Sequence, residues 1–171
     1  MATIDPNVWY QLTETRVDFN SSLQYNGFGI FMAAHETTAD DGQYWQFLPL
    51  SNGEWQVRNV ASAIGKQLST CYSATETSDS KTQPCMQDSS DDDSQKWWIT
   101  AWGDGTYKFV NVGNGTGYNM DCHPGNPMFM NDQTATTPNQ PAQHWEFSSI
   151  RDVNDGAYST TFVRLQLVCV A

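Results

Sequence analysis

Hydrophobic and polar positions recur along the chain with a long period. One pattern appears three times, as Gln43-Tyr44-Trp45-Gln46-Phe47, Gln95-Lys96-Trp97-Trp98-Ile99 and Gln143-His144-Trp145-Glu146-Phe147, at intervals of 52 and 48 residues. Three positions beyond its last apolar residue each copy carries another, Leu50, Trp102 and Ile150. Turn pairs follow at Asn52-Gly53, Asp104-Gly105 and Asp155-Gly156, the third after three additional residues, and two positions past each Gly stands an aromatic, Trp55, Tyr107 or Tyr158. Asn-Gly and Asp-Gly tolerate the positive φ that tight hairpins need, so these pairs predict hairpin turns.

Beyond the turns an aromatic–polar–apolar strand recurs as Trp55-Gln56-Val57 and Tyr107-Lys108-Phe109, and Tyr10-Gln11-Leu12 opens the chain in the same phase. A second strand is expected at Ser22-Leu23, Gln67-Leu68 and Asn119-Met120. A third is expected at Ile30-Phe31-Met32, Pro84-Cys85-Met86 and Met128-Phe129-Met130. Four short strands per repeat give twelve, in repeats of about 8–53, 54–105 and 106–162 within one all-β domain, with a tail of no assigned role at 163–171. A period near 50 fits propeller blades, a solenoid or an internally threefold barrel. Three copies are too few for a propeller of ~4–8 blades, solenoid spacing is absent, and threefold closure remains.

Composition narrows the function classes. The chain has 171 residues, with 39% hydrophobic, 13% aromatic and only 16% charged residues, and its formal charge is −11. Nucleic-acid binding draws on Lys and Arg neutralising phosphates, and no basic block exists here. The longest apolar runs, 29–34 and 165–171, fall far short of the ~20 residues that span a bilayer, so no membrane span is expected. The start shows neither a basic nor an apolar leader region, which leaves a cytosolic protein or one whose signal was removed. Two sequons, at Asn20 and Asn114, and the pair Cys71 and Cys85 around a Ser/Thr-rich loop favour secretion and mark candidate glycosylation and disulfide positions. Four cysteines permit three pairings; Cys71–Cys85 is the expected one, and Cys122 and Cys169 stay open.

Three Gln-x-Trp motifs at these intervals, with matching downstream apolar residues and turns, resemble the ricin B-chain type lectins, β-trefoil carbohydrate-binding modules, over Trp9 to Phe162. The resemblance implies that Trp45, Trp97 and Trp145 pack inside while Gln43, Gln95 and Gln143 brace turn backbones by hydrogen bonds. It further implies a sugar pocket in each repeat, built from an acid after the second strand's leucine-like residue, an aromatic platform closing the third strand, and an Asn before the motif. The acid position reads Gln24, Ser69 and Asp121, the platform Ala33, Gln87 and Asn131, and the residue before Gln reads Gly42, Ser94 and Ala142. No repeat keeps the whole set.

The third repeat comes nearest. Asp121 can accept from two hydroxyls, Asn131 can supply amide contacts, and Phe129, Tyr118 or His123 can replace the platform. Equally, Asp121 can cap the turn before Pro124-Gly125. Phe31, His35 and Asp41 surround a degenerate first site, and the stretch 71–94 with Asp91-Asp92-Asp93 reads as a solvated loop. By alignment Trp102 belongs to the core and Trp98 to the outside.

The three histidines show no metal spacing, and neither a nucleophile elbow nor a phosphate-cradling loop is present. No metal, cofactor or catalytic residue is expected, and an enzymatic setting would mean a module of a larger glycoside-active protein. The expected function is non-covalent glycan recognition centred on the third repeat; the alternative is a trefoil with eroded sugar sites that binds a protein partner.

Overall fold

A computed structural model describes residues 4–16, 20–35, 41–125, 127–132 and 141–154. Twelve strands lie among them: β1 (Val8–Glu14), β2 (Ser21–Tyr25), β3 (Ile30–Ala34), β4 (Trp45–Pro49), β5 (Trp55–Asn59), β6 (Lys66–Tyr72), β7 (Thr82–Asp88), β8 (Trp97–Ala101), β9 (Tyr107–Asn111), β10 (Asn119–Cys122), β11 (Met128–Asn131) and β12 (Trp145–Asp152). The pairings β1–β4, β4–β5, β5–β8, β8–β9, β9–β12 and β12–β1 close a six-stranded ring. The remaining strands form three hairpins, β2–β3, β6–β7 and β10–β11. A six-stranded barrel with three hairpins, one per repeat, is a β-trefoil.

The sequence repeat is a repeat of register. Each motif Trp opens the fourth strand of its repeat and faces the aromatic of the first: Tyr10 opposite Trp45, Trp55 opposite Trp97 and Tyr107 opposite Trp145. All three indoles are fully buried. Each donates its N–H to a carbonyl of the second strand, Leu23 O at 2.8 Å, Leu68 O at 3.0 Å and Met120 O at 3.2 Å. A buried indole therefore leaves no unpaired donor, which would otherwise cost about 1–3 kcal/mol. Inward positions alternate along the strands, so Leu12, Phe47, Val57, Ile99 and Phe109 join them inside. Phe109 stacks on half-buried Phe147 at 5.6 Å, and Phe47 approaches Phe147 at 5.1 Å.

Turn chemistry agrees with the pattern. Gly53 (φ 86) and Gly105 (φ 96) occupy the left-handed region that disfavours a Cβ. Asn52 Oδ1 accepts from Glu54 N at 3.2 Å and Asp104 Oδ1 from Thr106 N at 2.9 Å, tightening the β4–β5 and β8–β9 turns. The pair Asp155-Gly156, Tyr158, Cys169 and the tail lie outside the described residues.

Trp102 departs from its expected core position. It lies five residues after Trp97, so strand alternation turns it to the opposite side, where it is half-buried, as is Leu50, while Ile150 is exposed. Trp102 instead stacks on His144 at 4.7 Å, carries Lys108 Nζ over its ring at 4.9 Å, and donates Nε1–H to Gln143 O at 3.0 Å. Trp98, on the same outer side, is half-buried. His144 Nδ1 also meets Asp104 Oδ2 at 2.8 Å, clamping the β8–β9 turn to the third motif.

Candidate functional site

Register fixes equivalent positions in the three hairpins. Gln24 pairs with Phe31, Ser69 with Cys85 and Asp121 with Phe129, so the acid positions of the repeats are structurally equivalent. What the chain places there differs sharply.

In the third repeat Asp121 is buried and fully engaged. Its Oδ1 accepts from Cys122 N at 2.6 Å, and its Oδ2 accepts from Asn131 Nδ2 at 2.7 Å and Gln143 Nε2 at 2.7 Å. Gln143 in turn accepts from Asn119 Nδ2 at 3.3 Å. The carboxylate thus joins the motif Gln to the platform position. Above Phe129 the His123 ring stacks at 3.6 Å with 5° between the planes, covering the buried phenyl with a half-exposed imidazole. Tyr118 is half-buried and packs against the core, away from the cleft described next.

A cleft of about 310 Å³ opens on this platform, lined by His123, Phe129, Asn131 and Asp132 of the third repeat and by Thr77, Ser78 and Asp79 of the second. The second-repeat wall was expected to be a solvated loop; the structure packs it against β11. Ser80 Oγ donates to Met130 O at 2.7 Å. Beneath it Glu76, buried, meets His123 Nε2 at 2.9 Å and accepts from Ser78 N at 2.8 Å and Gln83 Nε2 at 3.1 Å. Burial alone would raise the Glu76 pKa, but the donors from Ser78, His123 and Gln83 outweigh it and hold the carboxyl at about 2. The sequence alone does not bring Glu76, Asp79 and Asp132 to this cleft. For Glu76 and Asp79 the signal is the density of Ser, Thr and Asp between Cys71 and the second motif; Asp132 lies outside that stretch.

Cys71 and Cys85 form a disulfide across β6–β7, at the positions His123 and Phe129 occupy in the third repeat. In the second repeat Ser69 Oγ lies 2.9 Å from Ser94 Oγ and donates to Gln87 Oε1 at 3.3 Å. The wide opening beside it, lined by Lys66, Gln87, Asp88, Ser90, Asp92 and Ser94 among others, has no aromatic face. Its acidic run is spent locally: Asp92 caps a 3-10 turn at Asp93–Gln95, and Asp91 and Asp93 pair with Lys96 at 3.2 and 3.0 Å. In the first repeat Gln24 Oε1 accepts from Gln43 Nε2 at 3.2 Å, His35 Nδ1 lies 2.9 Å from Ser22 Oγ, and Asp41 pairs with Arg151 at 3.6 Å.

The motif glutamines bond to backbone carbonyls in the first two repeats, and in the third to a carboxylate side chain instead. Gln43 Nε2 donates to Ala34 O at 2.7 Å, Gln95 Nε2 to Asp88 O at 2.7 Å, and Gln143 Nε2 to Asp121. Cys122 is a free buried thiol whose pKa burial pushes up to about 12. Asn20 is exposed, whereas Asn114 is half-buried and donates Nδ2–H to Thr82 Oγ1 at 2.8 Å. Among the described residues no group of three or more His, Cys, Asp or Glu is arranged to hold a metal ion, and no helix is long and apolar enough to cross a membrane.

Comparison with known proteins supports the same architecture. No curated protein matches the chain in sequence. Among solved structures, the designed threefold-symmetric protein ThreeFoil superposes with a TM-score of 0.63 at 19% identity, over 83% of this chain and 99% of that one. SeviL, solved bound to asialo-GM1 saccharide, gives 0.59 at 15% identity over 84% and 98%. A mosquitocidal holotoxin gives 0.68 at 18% identity over 88% of this chain, which spans only 18% of the toxin. The profile of the family described as ricin-type β-trefoil lectin domain-like matches residues 41–128, and the chain belongs to that family.

Proposed function

We propose that the protein binds glycans non-covalently at the third-repeat cleft, as a recognition module without turnover. The observation that carries this reading is the convergence, in one opening of about 310 Å³, of a stacked ring platform and an amide held by the motif network. An imidazole face suits the C–H side of a pyranose, and Asn131 can accept and donate to hydroxyls. Asp121 acts as a brace that orients Asn131, rather than touching sugar. A shallow site of this kind binds with Kd near ~1 mM, about −4 kcal/mol, so biological avidity rests on multivalent glycans or a tethered partner. The Cys71–Cys85 disulfide suits an oxidising, extracellular setting.

A glycan array followed by titration tests the reading. His123→Ala and Asn131→Ser are expected to weaken binding tenfold or more while thermal melting shifts by only a few degrees. Variants that bind like the parent would overturn the assignment to this cleft. A second reading, recognition of a protein, is favoured by Phe28 and Tyr72, 98% and 76% exposed on neighbouring hairpin ends. A blank array with folded protein would select it.

A further inference from the structure

Resting on the reading that the third-repeat cleft holds a sugar, we propose that the sugar carries a free amino group: a 2-amino-2-deoxyhexose or an oligomer of one. The inference comes from what surrounds the ring platform. Asp79 stands on the second-repeat wall and Asp132 on the third-repeat wall, both exposed and both lining the cleft. Among the described residues neither carboxylate has a hydrogen-bond or ion-pair partner, unlike Asp41, Asp88, Asp91, Asp93 and Asp104, each of which is paired.

Among the described residues no Lys or Arg lines the opening. The two cations behind it are committed elsewhere: Lys81 Nζ donates to Glu76 O at 2.8 Å, and Arg16 pairs with Glu14 at 3.3 Å while reaching His123 O at 3.4 Å. Among the described residues the site therefore offers two unspent anionic acceptors, one from each repeat, beside a flat ring, on a chain of formal charge −11. An ammonium group held by carboxylates makes bonds roughly twice as strong as neutral hydroxyl pairs, and a carboxylated or sulfated sugar meets like charge. A bare cation is the poorer occupant. Ca²⁺ takes about 6–8 oxygen ligands, and two walls each offering one carboxylate do not supply them.

The test is an NMR titration of the full chain at pH 7, where amines of this type with pKa near ~8 are mostly charged. D-glucosamine and D-galactosamine are compared with their parent hexoses, their N-acetyl derivatives and ethanolamine, following the amides of Ser78, Asp79, Phe129 and Asn131. The expected result is at least fivefold tighter binding of the amino sugars at low salt. That preference should collapse toward unity in 0.5 M NaCl and in Asp79→Asn/Asp132→Asn.

Parent hexoses binding as tightly as the amino sugars would overturn the inference and leave glycan recognition standing. Ethanolamine matching the amino sugars, or amino-sugar shifts confined to residues 91–93, would overturn it as non-specific charge attraction. No shift at these four amides with any of the sugars would remove both this inference and the cleft it builds on.

Discussion

A carboxylate taken out of water stays ionised only where donors replace the hydration it gives up, and Glu76 has them from Ser78, Gln83 and His123. Its pKa is lowered from 4.5 to about 2, so the stabilisation is complete above pH 4.5 and lost as pH falls toward 2. Glu76→Gln should therefore cost about 3 kcal/mol at pH 7, and urea melts of parent and variant should converge by pH 2. Cys122 behaves oppositely: its raised pKa leaves almost no thiolate, and the native chain should resist iodoacetamide at pH 8 while the unfolded chain reacts. At the motif, Trp97→Phe keeps a ring but strands the Leu68 carbonyl without its indole partner. It should cost roughly 1–3 kcal/mol in denaturant titrations.

Between elements, the hairpins carry the differences among the repeats while the barrel strands carry the likeness. The same diagonal position holds a disulfide in β6–β7 and a His–Phe stack in β10–β11. The bond closes a loop with a separation of 14 residues. Replacing both cysteines by serine should lower stability by about 3 kcal/mol. It should also speed amide exchange at 77–79 and loosen sugar binding next door, since this loop walls the third cleft.

How far the sequence foretells the molecule follows the same division. Strands, turns and buried indoles were legible because Gln-x-Trp and Asn/Asp-Gly act through residues within one repeat. Glu76, Asp79 and their role beside His123 were not, because that contact joins two repeats and nothing local encodes it. Alignment with Leu50 and Ile150 suggests a core place for Trp102, but strand parity counted from Trp97 puts all three on the outer side.

For the whole molecule, three equivalent indoles anchor one continuous core, so loss of any one should be felt everywhere. Trp45→Ala, Trp97→Ala and Trp145→Ala should each cost ~3–5 kcal/mol against a total of ~5–15 kcal/mol. Unfolding should remain a single transition by fluorescence and far-ultraviolet circular dichroism; separate transitions would mean that the repeats fold independently. The ring itself closes where β1 pairs with β12, from Val8 opposite Asp152 to Glu14 opposite Trp145. Tyr10 meets Trp45 and Phe47 early, but the edge of β1 that β12 covers stays open until residues 145–152 exist. A chain emerging from the ribosome must carry one edge of its first strand unpaired through most of translation, so nascent fragments halted before Trp145 should engage chaperones and those released beyond Asp152 should not.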